Sequence, residues 1–239
     1  MTKLLPNASI PVSDGEMDVY LAAPEQPPRI AVLIQLELWG MTLHMKEVAD
    51  RLAAQGYAAI VCDLFRGQEP ARESEPVEKW AEVFEAFDDV RSTKDCRHAL
   101  DWTLSGGGGF AVDKVFAWGF CMGGRFAHNL AAFDARLAGA INFYGRINFP
   151  RLPTKPFLPI EMTRMIDIPY FGAFAETDSL IPDADLDRLR TDLAHNLDAE
   201  IKVYPGTEHA FLNDHRGAYH HDAAQEAWAD VFAFLHRHS

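Results

Sequence analysis

Residues 115–128, VFAWGFCMGGRFAH, constrain what this chain can fold into more than any other stretch. The apolar run Val115-Phe116-Ala117-Trp118 predicts a buried strand, and Arg125 to Phe133 is compatible with a helix. Between them lies Gly119-Phe120-Cys121-Met122-Gly123-Gly124. A strand that turns sharply into a helix leaves room only for very small neighbours. Gly119 and Gly123 supply that room, and Gly124 lets the helix approach the sheet. The residue at such a turn sits on strained backbone at a helix N-terminus, where the local dipole favours a thiolate. Taken alone, the stretch has two readings: a cysteine nucleophile in a G-x-S-x-G-like elbow, or a buried apolar cysteine in a glycine-rich turn.

A chain of 239 residues can bury a full core, and its 48% hydrophobic and 24% charged residues are ordinary for a globular protein. The formal net charge of −13 argues against nucleic acid or an anionic membrane as a partner. Cys62, Cys96 and Cys121 are too few and too scattered for a disulfide framework, and no CxxC pair suggests zinc. A reducing compartment follows. The first residues lack the apolar core of a secretory signal, and no run of about 18 apolar residues offers a membrane span. A cytoplasmic protein is expected, as a monomer or small homo-oligomer.

Along the chain, residues 8–12 and 17–22 alternate apolar and polar around Ser13-Asp14-Gly15, a hairpin signal. Ile30 to Ile34 and Tyr57 to Leu64 read as strands buried on both faces. Residues 43–55 have helical periodicity, stopped by Gly56. Residues 76–104 form two helices or one kinked helix, and the glycines at 106–109 break the chain. That glycine run lacks a following Lys-Ser/Thr and precedes a strand, so it predicts a turn and not a phosphate loop. Leu137 to Tyr144, Pro169 to Ala175 and Ala199 to Tyr204 are further strands; 183–197 and 219–237 are helical. Residues 145–168, with four prolines, predict a lid or a border of the active site. Strands alternating with helices imply an α/β fold, a mostly parallel sheet with helices on both faces, organised as one domain over 1–239. Ligands then bind at the carboxyl ends of the strands.

Four residues fall at such ends: Glu37, Cys121, Asp178 and His209. A thiol needs a base, and a base needs an orienting acid. The order nucleophile, acid, histidine is the α/β-hydrolase order, which strengthens the reading of Cys121 as a nucleophile. Asp178 also suits a turn, and His209 is one of ten histidines. The pairs His220-His221 and His236/His238 read as a solvated helix face, so no metal and no cofactor is expected.

These pieces resemble the dienelactone hydrolase (carboxymethylenebutenolidase) family of α/β-hydrolases. The similarity rests on Gln35 to Gly40, Gly56 to Ala59 leading to Asp63-Leu64, Gly119 to Gly124, Asp178 with Pro182, and Tyr204 to Phe211. It implies a Cys121-His209-Asp178 triad that cleaves a small ester or lactone through a thioester. It also implies that Glu37 helps switch the resting thiol to thiolate when substrate arrives. A carboxylate beside a thiol disfavours thiolate by like charge, so a gating or proton-accepting role makes better sense. The backbone N–H groups of Leu38 and Met122 would hold the oxyanion. Trp39, Arg125, Tyr144, Phe211 and Asn213 are the candidate substrate contacts.

The chain departs from the family pattern at Asn213. Relatives that hydrolyse dienelactone place an arginine four residues after the histidine to bind the substrate carboxylate. Arg66, Arg125, Arg146 and Arg216 are candidates for anion contact, although each also reads as a surface charge. Glutamine amidotransferase-like proteins also use a cysteine elbow but carry the acid two residues after the histidine, where this chain has Phe211. A non-catalytic ligand-binding protein on the same fold is the remaining alternative.

Overall fold

The computed structural model describes residues 4–239. The chain opens with the expected hairpin, β1 (Ala8–Val12) and β2 (Gly15–Ala22), antiparallel in the register Ile10 opposite Met17. β3 (Ile30–Gln35) is followed by α1 (Leu43–Ala54) and β4 (Ala58–Cys62). The helical region 76–104 is two helices, α2 (Val77–Ala86) and α3 (Asp89–Leu104). The break at Phe87-Asp88 is a cap: the Asp88 carboxylate accepts from the Arg91 amide at 3.0 Å. After a short turn at Gly107–Gly109 come β5 (Lys114–Phe120), α4 (Met122–Phe133) and β6 (Gly139–Phe143). The long segment after β6 carries the one-turn helix α5 (Pro159–Met162) and a 3-10 turn at Thr163–Met165. β7 (Tyr170–Ala175), α6 (Asp183–Asp192), β8 (Ala199–Tyr204) and α7 (His221–Arg237) complete the chain.

All eight strands join one sheet in the order β1-β2-β4-β3-β5-β6-β7-β8. β1 and β2 enter antiparallel, and every pairing from β4 to β8 is parallel. The parallel strands read as unbroken apolar runs because helices cover both faces: every residue of β4, β6 and β7 is buried. The C-terminal ends of the strands lie level. Gln35 pairs with Gly119, Phe120 with Phe143, and Ala175 with Tyr204. Side chains just past those residues therefore meet on one rim. No helix among the described residues is long and apolar enough to cross a membrane.

The segment 145–168 is anchored rather than structureless. His128, fully buried on α4, makes ring-nitrogen hydrogen bonds to the Tyr170 hydroxyl at 2.9 Å and the Pro159 carbonyl at 3.1 Å. Burial pushes its imidazole down to about 4, so it is a neutral structural strut at pH 7.

Candidate active site

The turn between β5 and α4 is as tight as its glycines predict. A Cβ on Gly119 would lie 2.0 Å from the Gly123 carbonyl oxygen, and one on Gly123 would lie 2.0 Å from that of Gln35. The second contact is the informative one. It presses the end of β3, and with it the loop Leu36–Trp39, against the first turn of α4. Cys121 sits at the apex with φ +52°, a conformation that costs a non-glycine residue about 1–3 kcal/mol. Tyr144 after β6 (φ +41°) and Ala210 after His209 (φ +69°) are also left-handed. Three of the four non-glycine residues with this strain, among those described, therefore lie on the same rim.

His209 and Asp178 meet there from adjacent strand ends. His209 Nδ1 is 2.6 Å from Asp178 Oδ2, and the other carboxylate oxygen accepts from the Leu180 amide at 2.9 Å. Both oxygens of the acid are thus committed, which fixes the imidazole ring. Its Nε2 is buried. Burial alone would lower the imidazole pKa. The negative charge of Cys121 and the hydrogen bonds to Asp178 and to Cys121 outweigh it and raise the group to about 10. The ring is therefore an imidazolium at neutral pH, paired with Cys121 on one side and Asp178 on the other.

Glu37 is fully buried beside this group. Its Oε2 accepts from Asn213 Nδ2 at 2.8 Å, and its Oε1 has no partner among the described residues. The Met122 amide, in the first turn of α4, has no acceptor within its helix. Tyr144 packs its ring 5.2 Å from that of His209 and 5.7 Å from that of Phe211. Its hydroxyl is buried and unpartnered, and its pKa is raised well above the usual range by burial and then by the charges of Glu37 and Cys121. The rim thus brings together Glu37, Leu38, Trp39, Cys121, Met122, Tyr144, Asp178, His209, Phe211 and Asn213, all expected from the sequence.

Arg125 is a correction. It is 1% exposed and points into the core between α3 and α4, where it donates to Asp89 at 2.7 Å and lies 4.6 Å over the ring of Phe84. Buried in the core against Asp89 and the rings of Phe84, Phe126 and Phe149, this guanidinium is turned away from the rim. Arg66 is likewise engaged elsewhere, with Asp14 and Asp95. Arg146 borders a hollow of about 320 Å³ with Asn148, Phe149, Asp185 and the turn Ser179-Leu180 that follows Asp178. Arg216, which reads as a surface charge in the sequence, is the arginine the fold brings to Trp39, with its guanidinium carbon 4.5 Å from the indole ring.

With this geometry in hand, the chain compares closely with known proteins. The model of the "Dienelactone hydrolase family" matches residues 17–239. A protein of Yersinia pestis named "Putative carboxymethylenebutenolidase" is 31% identical over 234 residues, covering 96% of this chain and 87% of that protein. A protein of the same name from Escherichia coli K12 is 31% identical over 224 residues, covering 92% and 82%. The crystal structure of a "Putative Dienelactone Hydrolase" from Klebsiella pneumoniae superimposes with a TM-score of 0.86 at 30% identity, over 95% of both chains.

Proposed function

Because the chain belongs to the dienelactone hydrolase family, we propose that it is a carboxylic ester hydrolase that cleaves a small ester or lactone through a Cys121 thioester. One observation carries the reading. The imidazole of His209, oriented by Asp178, interacts by charge and hydrogen bond with Cys121, a cysteine held in strained backbone at a helix N-terminus.

The Cys121 thiolate attacks the carbonyl carbon and forms the C–S bond. The carbonyl oxygen becomes an oxyanion held by the Leu38 and Met122 amides, a reading supported by the close approach of Gly123 to the end of β3 at Gln35. Collapse breaks the C–O bond, and His209 Nε2–H protonates the leaving oxygen. In a lactone that oxygen stays on the same acyl chain. The sulfur is now uncharged, so the main interaction raising the imidazole pKa disappears. His209 is left neutral and able to take a proton from water. Water attacks the thioester, the C–S bond breaks, and the acid leaves with the thiolate restored. A thiolate leaves readily, which suits activated enol esters and lactones better than amides.

Glu37 acts as a gate in this scheme. Its carboxylate, by like charge, works against the thiolate that His209 favours, so it tempers the nucleophile. All three cysteines are free, which supports a reducing, cytoplasmic setting.

The test is Cys121→Ala on an activated aryl ester and an enol lactone, with acid-quenched mass spectrometry of the wild-type chain. Loss of turnover and an acyl adduct on the Cys121 peptide are expected. Hydrolysis that survives in Cys121→Ala would overturn the mechanism.

A further inference from the structure

We propose that His44, Glu47 and Asp214, with His215 beside them, form a site for zinc or a similar first-row divalent cation, which clasps α1 to the turn after Asn213. The site takes no part in acyl transfer and stands independently of the esterase reading. His44 and Glu47 lie three residues apart on α1, so they share one helix face. Asp214 and His215 reach that face from the turn. One ligand atom from each of His44, Glu47 and Asp214 lies within 4.8 Å of the other two. Among the described residues, no other three histidine, cysteine or carboxylate side chains come this close.

The spacing in this cluster is that of ligands around an ion. His44 Nδ1 lies 3.7 Å from Asp214 Oδ1, and His215 Nε2 lies 3.7 Å from the same oxygen. Both separations are too long for a hydrogen bond. They are close to the roughly 3.4 Å between two ligands of a tetrahedral zinc with bonds of about 2.1 Å. His215 Nε2 also meets Glu47 Oε2 at 2.7 Å, a hydrogen bond that a bound cation would replace with two metal bonds. His44 is the anchor. Its side chain is 5% exposed, it packs edge-to-face on Phe120 at 6.1 Å, and its Nδ1 is aimed at Asp214 without reaching it. Glu47 and Asp214 are half exposed, so an ion can enter from solvent and these side chains can close on it.

The donor set selects the class of ion. Imidazole and carboxylate together suit zinc and its first-row neighbours, whereas calcium and magnesium take oxygen ligands. Two carboxylates balance the charge of a dication, and the chain's net charge of −13 favours its approach. The position has a consequence for the rim. The His215 amide donates to Asn213 Oδ1 at 3.1 Å, and Asn213 Nδ2 donates to Glu37. A bound ion therefore braces the turn that carries Asn213 against α1. The local spacing of histidines gives no sign of the site, because its members come from two segments far apart in the chain.

The experiment titrates zinc sulfate into the chelator-treated full chain by isothermal calorimetry. The Cys121→Ala background is used, so that the thiolate beside His209 does not hold the ion. Glu47→Gln, Asp214→Asn and His44→Gln are compared with the control His221→Gln. One zinc per chain is expected, bound about 10-fold or more weakly in each of the first three variants and unchanged in the control. Cobalt(II) gives a second readout: the visible absorption of a bound ion should appear in the parent and be lost in Asp214→Asn. Zinc at about 100 times its Kd should also raise the thermal midpoint by about 5 °C, and Asp214→Asn should abolish the rise. His44 is buried, so the two exposed carboxylate variants carry the test if His44→Gln fails to fold. The proposal is overturned if the parent binds no zinc, if Glu47→Gln and Asp214→Asn bind it as tightly as the parent, if His221→Gln is the variant that loses it, or if calcium binds as tightly as zinc.

Discussion

Asn213 donates its Nδ2 to Glu37 Oε2 at 2.8 Å, joining two fully buried residues 176 positions apart. Among the described residues it is the only hydrogen bond to this carboxylate, whose other oxygen has no partner there. It holds the loop after β3 to the turn after His209, and so sets where Leu38 and Trp39 lie relative to the elbow. Glu37 is thus met by a neutral amide, with no cation bonded to it among the described residues.

Replacing Asn213 with Ala should therefore cost about 1–3 kcal/mol, the penalty for leaving a buried acceptor without its donor. Urea unfolding at pH 7 measures it. Asn213→Asp should cost more, because it sets two carboxylates against each other.

The state of His209 should depend on the sulfur. In the free protein its pKa is raised to about 10, against the opposing effect of burial, by the charge of Cys121 and by Asp178. Alkylating Cys121 with iodoacetamide removes the sulfur charge, so the imidazole should lose its proton at lower pH. Titrating the His209 ring by NMR before and after alkylation checks the direction. A pKa unchanged by alkylation would mean that the two groups are not coupled.

Gly123→Ala should be far more damaging than its exchange of one hydrogen for a methyl suggests. The added carbon would meet the Gln35 carbonyl at 2.0 Å, and that neighbour is backbone in the central sheet. A loss of about 3 kcal/mol, with a fall in kcat for the chain that still folds, is expected. Gly217→Ala is the control: nothing lies within 4 Å of its added Cβ. Thermal unfolding and kcat of the two variants make the comparison.

The buried charges around Asp89 predict an order of effects. Asp89 lies between Arg125 at 2.7 Å and Lys155 at 3.8 Å, and both cations are buried. Arg125→Met leaves Asp89 with Lys155, whereas Asp89→Asn leaves two buried cations facing one another. Asp89→Asn should thus cost more, about 3–5 kcal/mol, and Arg125→Met less, in chemical unfolding at pH 7.

Much of this architecture is legible in local sequence. The hairpin around Ser13-Asp14-Gly15, the unbroken apolar strands and the glycine-flanked cysteine each follow from the conformations open to a few consecutive residues. The placement of Cys121, Asp178 and His209 at strand ends needs only the alternation of strands and helices. The arginines are different. Arg125 lies one helical turn beyond Cys121 and reads from the sequence as able to face the same rim. What turns it inward is Asp89, 36 residues earlier, together with the ring of Phe84. Arg216 reads as a surface charge until Trp39 is found beneath it.

The amino-acid sequence by itself determined the α/β architecture, the strained turn at Cys121 and the strand ends from which its partners come, because those depend on apolar periodicity and on the small size of glycine. Only the tertiary structure decided which charges remain free on the rim. A side chain's pairing is settled by partners dozens to hundreds of residues away, and no local pattern records that Asp89 bonds Arg125, that Asn213 holds Glu37, and that Arg216 lies against Trp39 and Glu73.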